Sequence, residues 1–87
     1  MSYPVFLHPD VIRYLDSLED GERRRCYNSL KHLEENPYIH HSGRDIKKLR
    51  GKRKSAYRLR TGDHRFLYVI KDKRVFVEEA FRRRKGY

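Results

Sequence analysis

Residues 57–68 read YRLRTGDHRFLY, two runs of alternating side chains on either side of Thr61-Gly62-Asp63. A β-strand turns successive side chains to opposite faces, and a Gly-Asp pair between two such runs is a turn signal, so the stretch predicts a β-hairpin. The pairing gathers Arg58, Arg60 and Arg65 on one side. A concentrated positive site on a sheet is the main functional feature of the chain.

Outward from the hairpin, residues 64–71 and 74–81 form a second strand pair about the turn Asp72-Lys73, after a strand over residues 55–60. In the first of these strands Tyr57 and Leu59 point one way while Ala56, Arg58 and Arg60 point the other. The middle strand, RFLYVI, is apolar on both faces and so reads as central. Phe66, Tyr68 and Ile70 are expected to face the helices, leaving Arg65, Leu67 and Val69 opposite.

Towards the N-terminus, residues 3–7 predict a first strand with Val5 and Leu7 on one face and Phe6 on the other. Pro9 suits the first turn of a helix, where its missing N–H has no partner to lose, and Asp10 complements the positive helix end. Val11, Ile12, Leu15 and Leu18 follow as an apolar stripe. Asp20 can cap a second helix running to about Asn36, with Cys26, Tyr27, Leu30 and Leu33 inward, and Pro37 stops it. Arg23, Arg24 and Arg25 read as its solvated face. Residues 38–51 read mostly as loop, pinned by Ile46 and Leu49, with Lys47, Lys48 and Arg50 available to phosphate. The fold class expected is α+β, a helix hairpin packed on one face of a small, mainly antiparallel four-stranded sheet, in a single domain.

The charge is uneven. Residues 1–43 carry five Lys or Arg against seven Asp or Glu, and residues 44–87 carry seventeen against five, within a chain of net charge +10. Such a field attracts phosphate polymers at long range, which makes nucleic acid the leading partner class. A basic surface kept for solubility and a dock for an acidic protein are the alternatives. The single Cys26 excludes an internal disulfide and reads as a small buried hydrophobe. No stretch approaches the roughly 20 apolar residues of a membrane span, and the N-terminus lacks the pattern of a signal peptide, so the expected location is the cytoplasm. Adjacent His40 and His41, without a spaced partner ligand, make a poor zinc pattern; neither a metal nor another cofactor is expected.

The chain ends FRRRKGY, four consecutive cations followed by a late tyrosine that is suited to stacking on a base. Taken together, the strand and helix hairpin, KKLRG at 47–51, YRLRTGDHRFLY and VFVEEAFRRRKGY resemble the RelE family of toxins within the RelE/ParE superfamily, over nearly the whole chain. The resemblance implies a cytosolic toxin that enters the ribosomal decoding site and cleaves messenger RNA (mRNA), held inactive by a RelB-like antitoxin. It matches Arg65 to the arginine that contacts the scissile phosphate, Arg82 or Arg83 to the arginine after the last strand, and Tyr87 to the stacking aromatic. Arg58 and Arg60 fall where some relatives have lysines.

The sites expected are therefore Arg65, Arg60, Arg83 and Tyr87 for catalysis, with Arg58, Arg82, Lys85, Lys47, Lys48 and Arg50 binding RNA phosphate. Arginine stabilises a phosphorane well but is a poor base at neutral pH. The candidates for that role are Lys85, His64, Tyr87, Glu78 and Glu79, although strand alternation turns His64 away from Arg65. A ParE-like gyrase inhibitor and a non-catalytic RNA- or ribosome-binding module are the other readings.

Overall fold

The computed structural model describes residues 2–38, 45–49, 51 and 56–83. In chain order these form β1 (Val5–Leu7), α1 (Pro9–Asp16), α2 (Asp20–His32), β2 (Asp45–Lys48), β3 (Ala56–Thr61), β4 (His64–Lys71) and β5 (Arg74–Arg82). The sheet has five strands in the order β1-β5-β4-β3-β2, so β4 is central, as its two apolar faces require. All pairs are antiparallel except β1 with β5.

The α+β class and the helix pair on one face agree with expectation, but the four-stranded sheet does not. The added strand is β2, in the stretch that reads as loop. Asp45-Ile46-Lys47-Lys48 offers one apolar side chain, Ile46, which packs at the margin of the core. Its backbone pairing with β3 supplies what its composition does not signal, and lysines are common on such edge strands.

Both helices lie over the Phe66 and Tyr68 side of the sheet, α1 against β5 and α2 against β3. Val11 and Leu15 from α1, Cys26 from α2 and Leu33 just beyond it meet Leu59, Phe66, Val75 and Val77 in the buried core. Burying each large apolar side chain stabilises the fold by about 1.5–3 kcal/mol. Ile12 and Tyr27 are not part of this core, being 41% and 40% exposed. Each sits one residue, about 100° of helix rotation, off the stripes Val11-Leu15-Leu18 and Cys26-Leu30-Leu33.

Pro9 opens α1 as expected, and the cap is the ring of His8, whose Nδ1 accepts the Asp10 N–H at 3.0 Å. The N-cap position of the second helix is Glu19, whose side chain makes no capping bond, rather than Asp20, which lies in the first turn and pairs with Arg23. It ends at His32; beyond it, i→i−3 bonds tighten the chain towards Asn36 and Pro37. No helix among the described residues is long and apolar enough to cross a membrane.

Candidate nucleic-acid interface

The strand registers place the cations on the sheet face opposite the helices. Arg60 stands directly across from Arg65, and Arg65 across from Phe81. In the next row Arg58 faces Leu67, Leu67 faces Glu79, and Lys47 lies beside Arg58 on β2. Directly opposed residues have Cβ atoms about 4.5–5.5 Å apart, so this is one continuous patch. Phe81 is 43% exposed beside Arg65 and offers an aromatic face that sequence reasoning did not select.

Arg65 is the fixed point of the patch. Only 8% exposed, it donates through Nη1 to the carbonyls of Gly62 at 2.9 Å and His64 at 3.2 Å. The turn is built for this. Gly62 takes a left-handed φ of 58° at the first central position, where glycine carries no Cβ penalty. Burial first, and then the neighbouring Arg58, Arg60 and Arg83, lower the pKa of Arg65 below that of an ordinary arginine, with Asp63 opposing them. Like charges held together in this way favour an anion between them. The Nε of Arg58 is enclosed without a hydrogen-bond partner among the described residues, a donor that a bound anion or water would satisfy.

Arg83 joins the patch through its backbone, whose N–H donates to the Asp63 carbonyl at 2.6 Å and fixes the end of β5 against the turn. Arg82 does not join it. A β-bulge at Glu78, where Leu67 pairs with Glu79 but Tyr68 with Val77, reverses the alternation of β5. Arg82 therefore lies across from His64 on the helix side, with Nη1 3.7 Å from Glu22 Oε2. Lys48, across from Tyr57, is likewise on the helix-side face, exposed at the sheet edge. Both lie apart from the face that carries Arg58, Arg60 and Arg65. Arg50, Lys85 and Tyr87 lie outside the described residues, as do His40 and His41.

His64 is turned away from Arg65, as alternation requires. It is buried, with Nδ1 2.6 Å from the Tyr14 hydroxyl and Nε2 3.0 Å from Glu22. Glu79, exposed in the row next to Arg65, is a described carboxylate on the cationic face. Sequence reasoning missed Tyr14, Glu22 and the Ser29–Thr61 hydroxyl pair, 2.9 Å apart. The signal was present: Glu22, Cys26, Ser29 and Leu33 follow one another at helical spacing, which puts a carboxylate on the buried face of α2.

No family model matches the chain, and neither does any curated protein. Among solved structures, the archaeal RelE–RelB complex from Pyrococcus horikoshii is similar at 30% identity and a TM-score of 0.84, covering 99% of this chain and 100% of that one. The RelBE2 toxin–antitoxin complex from Mycobacterium tuberculosis is similar at 22% identity and a TM-score of 0.78, covering 95% and 93%. A mutant of the E. coli toxin RelE in the free state is similar at 24% identity and a TM-score of 0.70, covering 94% and 84%. The last two share the fold; the first shares sequence along the whole of both chains. On that likeness, and with the arginine-bearing hairpin at the centre of its sheet, the chain belongs to the RelE family of toxins.

Proposed function

We propose that this toxin is a ribosome-dependent endoribonuclease that cleaves mRNA in the decoding site, acts in the cytoplasm, and is held inactive by a RelB-like antitoxin. The observation that carries the reading is Arg65, anchored by two backbone carbonyls and ringed by Arg58, Arg60 and Arg83. The antitoxin follows from likeness to a RelE solved together with RelB.

RNA carries its own nucleophile. The 2′-oxygen attacks phosphorus and loses its proton to an acceptor, the bond from phosphorus to the 5′-oxygen breaks, and that oxygen gains a proton. The products are a 2′,3′-cyclic phosphate and a 5′-hydroxyl. Both anchoring bonds of Arg65 use Nη1, so the Nη2–Nε edge is the part presented to the phosphorane, with Arg60 and Arg83 beside it. Arg58 and Lys47 hold the flanking backbone, and Tyr87 is assigned to stacking or proton transfer.

Arginine stays protonated at neutral pH, so the proton acceptor comes from outside the cluster. A 2′-OH activated by positioning and by ribosomal RNA accounts for dependence on the ribosome without a strong protein base. The purified toxin is expected to cut ribosome-bound message and to leave the same RNA intact when naked. Equal cleavage of both would refute the ribosome-dependent reading.

A further inference from the structure

Behind the arginine face, polar side chains occupy the seam between the helix pair and the β3–β4 turn. Among the described residues, Tyr14 from α1, Glu22, Arg25 and Cys26 from α2, Arg82 from β5 and Asp63 in the turn are charged or titratable groups around His64. A cleft of about 400 Å³ opens beside it, lined by Glu22, Arg25, Cys26, Thr61, Asp63 and His64 among others.

The direction of the hydrogen bonds follows from the chemistry of the groups. A carboxylate only accepts, so His64 Nε2–H donates to Glu22, while Nδ1 and the Tyr14 hydroxyl share a hydrogen bond on the other side of the ring. Burial, as the largest influence, raises the pKa of Tyr14, so the phenol keeps its proton. Hydroxyl, imidazole and carboxylate stand in the order that activates a nucleophile elsewhere, but a raised phenol pKa is the opposite of activation. The chain is a mechanical tie.

What it ties is the anchorage of Arg65. The His64 carbonyl is one of the two acceptors for Nη1, and the Gly62 carbonyl is the other. Thr61, on the far side of Gly62, is tied to Ser29 of α2. The turn is thus held to the helices on both flanks, and the guanidinium hangs from the backbone between those ties. We propose that Tyr14, Glu22 and His64 are positioning residues that fix the guanidinium of Arg65 from the opposite face of the sheet. This rests on the reading of Arg65 as the phosphate clamp, although the positioning itself is a property of the free protein.

The test uses the full chain with Tyr14→Phe, which keeps the ring packed edge-on against Phe66 while deleting the hydroxyl, and Glu22→Ala as a second variant. In side-chain nitrogen–proton NMR of the free protein, Arg65 is expected to show separate, slowly exchanging Nη signals. These should average in both variants while the backbone spectrum stays folded. In cleavage of ribosome-bound message, each variant is expected to slow the cutting step about 10-fold with ribosome affinity unchanged, and to add nothing in an Arg65→Ala background. Arg65 signals already averaged in the wild type, or unchanged in folded variants, would overturn the proposal, as would losses that add to that of Arg65→Ala. A wild type that cuts no message but whose Arg65 is released by Tyr14→Phe would refute the nuclease reading and leave the positioning standing.

Discussion

Arg65 holds two carbonyls through Nη1 alone, and its planar guanidinium carries further donors on Nη2 and Nε that the single nitrogen of a lysine lacks. Arg65→Lys is therefore expected to fail almost as badly as Arg65→Ala, each losing about 10²- to 10³-fold in cleavage rate with circular dichroism unchanged. A lysine variant of near wild-type rate would show that only charge matters at this position. Cys26 makes a second prediction. Burial, with help from Glu22, pushes its thiol up to about 11 from 9.0, and burial also raises Tyr14 and Tyr68. The unfolded chain then releases these protons before the folded one does. Stability is whole below the unfolded values and is lost as pH rises from about 9 towards 11. Thermal unfolding across that window should show the midpoint falling, and native Cys26 should resist alkylation at neutral pH. The placement of a cation was legible where charge met strand alternation, as with Arg65 on the face of Arg58 and Arg60. Helical spacing likewise marked Glu22 as a carboxylate on the buried face of α2, but not what it meets there, because its partners His64 and Arg82 are far away in sequence.

Among the elements, the two hairpins differ in how well their turns suit their backbone. The β3–β4 turn has glycine at its left-handed position, whereas the β4–β5 turn holds Asp72 and Lys73 at φ of 53° and 60°. A left-handed lysine costs roughly 1–2 kcal/mol. Lys73→Gly is expected to raise stability by about 0.5–1 kcal/mol in denaturant unfolding, the entropy of the added glycine offsetting part of the gain, with cleavage unchanged. A drop in stability would show that the strain is absorbed elsewhere. Both hairpins and both helices could be read from periodicity and turn residues. Two elements could not. β2 has too few apolar residues to signal a strand and exists because β3 offers it an edge. The bulge at Glu78 leaves no mark in VFVEEAFRR, yet it decides that Arg83 and not Arg82 accompanies Arg65.

On the scale of the whole molecule, one sheet divides the labour: apolar side chains hold the helices on one face, and cations gather on the other. Among the described residues, five of them, Lys47, Arg58, Arg60, Arg65 and Arg83, cluster around the Arg60–Arg65 pair, with Lys71 and Arg74 at the far end of the same face. Each phosphate neutralised on a single strand contributes about −0.7 to the slope of log affinity against log salt, so binding of single-stranded RNA should fall with a slope of about −3.5. A slope near zero would remove the open face as the RNA surface. The central claim is that this face performs chemistry on message held by the ribosome. It is tested most directly by mapping mRNA ends in a translating extract given the wild-type toxin or Arg65→Ala. Discrete cuts within ribosome-covered codons are expected, ending in 2′,3′-cyclic phosphates and absent with the variant. Intact message with the wild type, or the same cuts with the variant, would contradict it.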